Sequence, residues 1–160
     1  MAKIKLNARD MVIEVRDPAT LDTETPTWVQ IDGLTNFVPN PSENEETAET
    51  ATFTDEGNYN QEKMQKGMVL ELEGFRMADS ETGEPDPGQK VCDDWHERLG
   101  PESHGELRFR HKTATTWKVW TATCTVGEGG GEINDKDAFA VTFTRCGASR
   151  TESVAAVPTP

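Results

Sequence analysis

The amino-acid sequence predicts a mainly β domain, a β-sandwich or barrel with one flanking α-helix and a long acidic loop. Roughly seven or eight short segments alternate apolar with polar residues, which is the pattern of half-buried strands. One segment repeats its apolar residues at helical spacing. Turn-forming residues separate these segments, and 160 residues suffice for one domain with a sizeable core.

The composition is acidic and only moderately apolar. Hydrophobic residues make up 34% of the chain, and 16 Lys and Arg face 29 Asp and Glu, which gives a formal net charge of -13. So low an apolar fraction predicts much solvated loop, tail or surface that becomes ordered on assembly. The negative charge repels phosphate, which argues against specific binding of DNA or RNA.

The cysteines and the chain start predict a protein made in a reducing cytoplasm. Cys92, Cys124 and Cys146 form neither an even set nor a close pair, so no disulfide framework is expected. The first residues lack the apolar run of a signal peptide, and no stretch approaches the roughly 20 apolar residues of a membrane span. We therefore expect no membrane anchor.

The first strands follow a short basic arm. We assign residues 1–9 to this arm and residues 10–147 to the β domain. Alternating apolar residues predict a strand at Met11–Val15. A second strand, at 28–31, ends at an Asp-Gly dipeptide that is typical of tight turns, so we expect the chain to return through residues 34–38 as a hairpin.

Residues 39–57 form the long acidic loop. Pro39 and Pro41 are expected to break the preceding strand, and no Lys or Arg occurs between Arg16 and Lys63. A loop of about 20 residues without its own core is unusual unless it is functional or is ordered by a partner. Two interpretations remain open at this point, a disordered surface insertion and a β arm built from the Thr-rich stretch.

The middle of the chain predicts one more strand and the helix. Alternation predicts a strand from Met68 that continues toward Met77. The helix is expected at 89–99, because Val91, Trp95 and Leu99 recur at every fourth position and Gly-Pro follows.

The last third returns to strands, which we expect at 107–111, 115–126 and 139–144, before a flexible tail at 148–160. The predicted core consists of the apolar residues on the inner faces of these elements. They are Trp28, Leu70, Leu72, Trp95, Leu99, Phe139, Val141 and Phe143.

Residue patterns of catalysis, metal binding or cofactor binding are weak. Cys92 and His96 stand four apart on the predicted helix, but the second pair of a closed zinc site is missing. No Ser or Cys nucleophile motif occurs, and the glycine run 127–131 lacks the Lys of a phosphate-binding loop. We therefore assign no catalytic, metal or cofactor residues and expect no cofactor and no enzyme activity.

A basic cluster interleaves with aromatic residues in the last third, and it allows three interpretations. It could bind single-stranded nucleic acid, form the polar face of two adjacent strands, or meet the acidic loop of a neighbouring subunit. The cluster comprises Arg108, Arg110, His111, Lys112 and Lys118, with Phe109, Trp117 and Trp120 between them.

Several of these segments together resemble the major tail tube proteins of siphophages. The run WVQIDGLTNFVPNP leads into an acidic, Thr-rich stretch that ends in TFTDEG, and a strand follows at 67–75. The helix that carries Trp95 and the late FAVTF strand before Gly147 also fit. The resemblance is one of element pattern and extends over about residues 30–147.

The resemblance implies a structural virion protein of the tail, assembled in the cytoplasm of the bacterial host. Six subunits would form a ring, and rings would stack into a tube through which DNA is ejected without specific binding to the wall. The implied partners are other copies of the chain, the tape measure, the tail terminator and the distal tail proteins. Glu71 and Glu73, on the polar face of a predicted strand, are candidates to face the lumen.

Within such a ring, the acidic loop is expected to meet the basic strand of a neighbour. The candidate inter-subunit residues are Glu43, Glu45, Glu46, Glu49, Asp55, Glu56, Arg108 and Arg110. The alternatives are a monomeric β-sandwich that binds carbohydrate or protein, and another ring-forming phage protein such as a tail terminator. A small enzyme on a β-barrel is a third alternative, with no residues to support it.

Overall fold

The computed structural model describes residues 2–154 and confirms the predicted fold class, because it is mainly β with an α-helix. The elements, in chain order, are β1 (Met11–Arg16), β2 (Trp28–Gln30), β3 (Leu34–Asn40), β4 (Glu46–Glu49), β5 (Gln61–Gln65), β6 (Val69–Phe75), α1 (Pro87–His96), β7 (Gly105–His111), β8 (Thr116–Val126), β9 (Ala138–Arg145) and β10 (Arg150–Ser153).

The strands form one large antiparallel sheet and one separate hairpin. The large sheet has the order β2-β1-β7-β8-β9-β6-β3, and β10 pairs with the first half of β8. The sheet curls on itself, since Phe37 of β3 touches Phe109 of β7 at 5.8 Å between ring centroids although three strands separate them. The hairpin of β4 and β5 lies outside this sheet.

The core fills the concave side of the curled sheet, and α1 covers it. Trp120 packs edge-on against Phe109 at 5.1 Å, and Trp95 of the helix contacts Phe143 at 5.3 Å. Of the predicted core, Leu70, Leu72, Trp95, Phe139, Val141 and Phe143 are buried, and Trp28 is half-buried on the convex side. Leu99 is 84% exposed, so its assignment to the core is wrong.

Leu99 is exposed because the helix ends earlier than its apolar spacing predicts. The helix runs from Pro87 to His96 and not from 89 to 99. Asp86 caps its first turn by accepting a hydrogen bond from the backbone N–H of Gln89 at 3.1 Å. After His96 the chain turns away, and Leu99 lies in the loop.

The predicted hairpin between residues 28–31 and 34–38 does not exist. Strand β2 pairs with β1 and strand β3 pairs with β6, so the two lie at opposite edges of the sheet. The helix redirects the connection between them. The fully buried Gln89 donates from Nε2 to the carbonyls of Asp32 and Phe75, and its Oε1 accepts from the backbone N–H of Met77.

Two boundaries also differ from the sequence prediction. Strand β3 continues through Pro39 to Asn40, because β3 is an edge strand in which the missing N–H of proline costs no ladder hydrogen bond. The tail predicted as flexible at 148–160 contains β10, which pairs with β8. The remainder of that prediction, at 155–160, lies outside the described residues.

Candidate assembly surfaces

The acidic loop forms the base and first half of a projecting β-hairpin, which we call the arm (residues 46–65). Strands β4 and β5 pair from Glu46–Gln65 to Glu49–Gln61, with a bulge after the first pair. No residue from 41 to 66 is buried, and exposed side chains line both strands. The arm is therefore an ordered hairpin without a hydrophobic core, and the disordered interpretation of this segment is wrong.

The end of the arm is a short structured turn that presents an aromatic ring to solvent. Phe53 is fully exposed on a single 3-10 turn, and Tyr59, two residues before β5, is 69% exposed. The Asp55 carboxylate accepts a hydrogen bond from the backbone N–H of Thr52 at 2.6 Å, which closes the turn. Backbone hydrogen bonds tie this turn to the strands, so Phe53 is held outward by local structure.

The acids predicted at a subunit interface lie along this arm and at its base. Glu45 pairs with Lys63 of the opposite strand at 3.1 Å, and Asp55 closes the tip. Residues 49–60 contain acids but no Lys or Arg, so the outer half of the arm is purely acidic. Contact between these acids and another subunit stays a prediction.

A shallow apolar groove lies where the two sides of the curled sheet approach each other, and we call it the seam groove. Strand β2 pairs with β1 from Glu14 onward, and the Ile31 N–H donates to the Ile13 carbonyl, so the edge of β1 lacks a β2 partner at Met11 and Val12 and this end of β1 approaches β3. The groove holds about 390 Å³. Met11, Ile13, Leu34 and Phe37 supply its apolar walls, and Ala8 and Arg9 lie at its rim.

The two arginines of the basic cluster lie on the convex face of β1, β7 and β8, where they contact other residues of the same chain. The Arg108 guanidinium lies between the rings of Trp28 and Trp117, at 4.4 and 4.2 Å from their centroids, and its Nε donates to Glu14 Oε1 at 2.8 Å. Arg110 also stacks on Trp117 and donates to the Lys112 carbonyl at 2.8 Å.

This arrangement favours the interpretation of the cluster as the polar face of adjacent strands. Both Trp117 and Trp120 are buried, so neither ring is available as a stacking surface for bases. The predicted contact of Arg108 and Arg110 with a neighbouring subunit stays untested. In the single chain Arg108 pairs with Glu14, whereas Arg110 is held by backbone carbonyls and Trp117.

A second ion-pair group crosses the same face. Glu106 accepts from Arg16 at 2.9 Å and from Arg150 of β10 at 3.2 Å. Burial raises the pKa of the Glu106 carboxyl, but the hydrogen bonds from Arg150 and Arg16 outweigh it and leave the pKa below its ordinary value of 4.5. The carboxylate thus joins β7 to both β1 and β10.

The part of the convex face formed by β3, β6 and β9 carries two acids that have no cation beside them within residues 2–154. Glu71 and Glu73 are exposed on β6, between Val38 and Asn36 of β3 and Thr142 and Ala140 of β9. Neither carboxylate has an ion-pair partner among the described residues. This face is therefore negative, whereas the face that carries Arg108 has ion pairs from Arg108 to Glu14 and from Arg16 to Glu106.

The cysteine and histidine of α1 have structural partners. The Cys92 thiol is fully buried beside Cys124, and the hydrogen bond between the two thiols and burial raise its pKa well above the ordinary value. His96 Nδ1 accepts from the backbone N–H of Val126 at 3.1 Å. Residues 2–154 contain no cluster of three or more His, Cys, Asp or Glu with the geometry of a metal site.

Sequence reasoning missed the seam groove and the full exposure of Phe53 at the tip of the arm. The groove combines residues from β1, β3 and the segment before β1, whose proximity depends on the curl of the sheet. Phe53 carried a detectable signal, since an aromatic residue within an acidic, Thr-rich stretch has no local partner to bury it. In residues 2–154, no helix is long and apolar enough to span a membrane.

The sequence has no match among protein-family models or curated proteins. Two solved structures share the fold. A chain from the tail of an empty gene transfer agent particle with C6 symmetry aligns with a TM-score of 0.68 at 13% identity, over 93% of this chain and 100% of that one. A chain from the virion of a native gene transfer agent particle aligns with a TM-score of 0.58 at 15% identity, over the same shares. This chain therefore has the fold of chains found in gene transfer agent tails and virions.

Proposed function

We propose that this chain is a structural tail subunit of a phage-like particle, and that it assembles into stacked hexameric rings around a channel for DNA. The observation that carries the proposal is the likeness, over 93% of this chain, to a chain in a particle tail with C6 symmetry. The arm adds support, because an ordered hairpin with an exposed aromatic tip and no core gains stability by burying that tip against a partner.

The sheet offers edges through which copies could join. Strands β2 and β3 each have one edge that is not paired with another strand of the sheet. Unpaired N–H and C=O groups of such an edge invite pairing with another chain, and a closed ring satisfies them in every copy.

The negative face of β3, β6 and β9 suits a channel wall. Glu71 and Glu73 would repel phosphates, so DNA could move along the wall without the release of counterions that accompanies tight binding. In the proposed ring, the face with Glu71 and Glu73 lines the lumen, and the face of β1, β7 and β8 that carries Arg108 points away from it.

The two tryptophans of β8 do not support the alternative of a monomeric carbohydrate-binding module. Trp117 is 6% exposed and Trp120 is 1% exposed, so neither provides the flat aromatic platform that such modules use. The other implied partners, the tape measure, the tail terminator and the distal tail proteins, belong to this proposal, as does location in the virion tail.

Electron microscopy of the purified chain tests the proposal. After concentration, the protein is expected to form rings with six-fold symmetry and tubes of stacked rings. DNA binding by the tubes tests which face lines the lumen, because Glu71→Lys should raise the affinity of the tubes for DNA if that face lines it. A chain that stays monomeric at every concentration, and beside the other tail proteins of its particle, would contradict the proposal.

A further inference from the structure

We propose that the arm tip docks, through Phe53, into the seam groove of a second copy of this chain. The inference rests on the proposed self-assembly and adds the two surfaces that meet. The occupant of the groove is thus a named segment of an identical chain, and the contact joins an acidic aromatic tip to a basic-rimmed apolar groove.

The tip has the properties of an anchor. Phe53 is fully exposed, although it lies on a turn closed by hydrogen bonds to Thr52 and Asp55. The turn already fixes the backbone at Phe53, so burial of the ring costs chiefly the rotamer freedom of one side chain. Aromatic residues that enter a desolvated pocket commonly dominate the binding energy of an interface.

The groove has the properties of a receptor. Ile13 is buried, whereas Met11, Leu34 and Phe37 are half-buried, so apolar surface remains open to water at this position. The opening lies at the start of β1, where Met11 and Val12 have no β2 partner. An aromatic ring placed here would complete the core between β1 and β3 and remove apolar area from water.

Charge on the two surfaces is complementary. The tip carries Glu49, Asp55 and Glu56 without a basic residue, whereas Arg9 lies at the groove rim. Arg9 makes no salt bridge among the described residues. Opposite charges around an apolar contact favour this orientation over others.

The topology places the tip and the groove of one chain at opposite ends of the sheet. Strand β3 begins beside the groove at Leu34 and ends at Asn40, from which the chain leaves toward the arm. The base of the arm lies near Arg145 and Ala148, at the end of β9 that pairs with the start of β6. A contact between different surfaces of two copies is heterologous, so it repeats from copy to copy and can build a ring or a stack.

Disulfide trapping tests the contact directly. Two variants are mixed during assembly, one with Thr54→Cys at the tip and one with Asn36→Cys at the groove, both in a Cys146→Ser background. Oxidation should link the two variants as a heterodimer. The control pairs Thr54→Cys with Lys90→Cys, an exposed position on α1, and should give no specific product.

The outcomes separate this inference from the proposed function. Rings or tubes with the heterodimer support both. Rings or tubes that form normally but never trap the tip against the groove overturn the inference and leave the proposed function standing. A chain that forms neither assembly nor heterodimer overturns both.

Two alanine substitutions at exposed apolar residues, one at the arm tip and one in the body, test the contact without a crosslink. Phe53→Ala should raise the concentration needed for assembly by at least about tenfold, whereas Leu99→Ala, which removes another exposed apolar side chain in the body, should leave it unchanged. Arg9→Glu should weaken assembly, and Glu56→Lys in the same chain should restore part of it. Unchanged assembly in Phe53→Ala would contradict the inference.

Discussion

The body and the arm of this chain are both antiparallel β-structure, yet they are stabilised in different ways. The body curls around Trp120, Phe143 and their neighbours, which are almost fully buried, and a helix covers its open side. The arm pairs two strands with no buried residue on either face. An isolated two-stranded hairpin is marginally stable in water, so the buried contacts of the body, and not those of the arm, account for the stability of the fold.

The largest expected difference between the regions concerns two phenylalanines. Phe143→Ala removes a fully buried ring from the body and should lower the free energy of unfolding by about 3–5 kcal/mol. Phe53→Ala removes a fully exposed ring from the arm and should change it by less than about 0.5 kcal/mol. Chemical denaturation of the unassembled chain measures both. Similar losses in the two variants would show that the arm packs on its own body.

A smaller effect is expected on the convex face of the body. Arg108→Glu removes two cation–π contacts and places a second carboxylate beside Glu14, so it should cost about 2–3 kcal/mol. The reversed pair, Glu14→Arg with Arg108→Glu, should recover part of the loss in a thermal melt. A single reversal that melts like the unaltered chain would show that this ion pair contributes nothing to folding.

The Glu106 carboxylate gives the body a pH dependence. Its pKa is lowered in the folded state by Arg150 and Arg16, so its contribution is present above pH 4.5 and is lost as the pH falls through the folded pKa. Glu106→Gln should therefore lower the Tm at pH 7 by about 2–4 °C and have little effect near pH 3. An equal shift at both pH values would assign the loss to packing and not to charge.

The smallest effect is expected at the turn between β2 and β3. Burial, the charge of Asp86 and a hydrogen bond with Asp86 raise the pKa of Asp32 above 3.8, so the folded state binds a proton more tightly than the unfolded chain. Stability is then lost as the pH rises from 3.8 through the folded pKa, the opposite sign to Glu106. Asp32→Asn should raise the Tm at pH 7 by about 1 °C, a small value because Asp32 is largely exposed, and should not raise it near pH 3.

Sequence patterns predicted local structure well and pairing poorly. Alternation of apolar residues located β1, β6 and β9, since the inward and outward direction of side chains repeats along each strand. The Asp-Gly dipeptide predicted a hairpin that does not form, because the buried amide of Gln89 holds the turn and sends β2 and β3 to opposite edges. A local turn signal carries no information about a residue 57 positions away that binds the same backbone.

For the candidate surfaces too, the sequence predicted local properties and not the contacts between distant residues. The absence of cations from the acidic stretch predicted an exposed segment, and no residue from 41 to 66 is buried. The composition of the basic strand was equally visible, but its interpretation was open. The structure pairs Arg108 with Glu14 and two tryptophans, because β1 and β8 lie on either side of β7 and β2 lies next to β1.

By itself, then, the sequence determined that the chain is acidic, mainly β, and equipped with an exposed segment that has no core of its own. Hydrophobic period, charge balance and turn residues are properties of neighbouring positions, and they can be recognised without coordinates. Only the tertiary structure decided which strands pair, which arginines are neutralised, and where an open groove remains. Those outcomes depend on contacts between residues far apart in the chain, and the curl of the sheet brings such residues together.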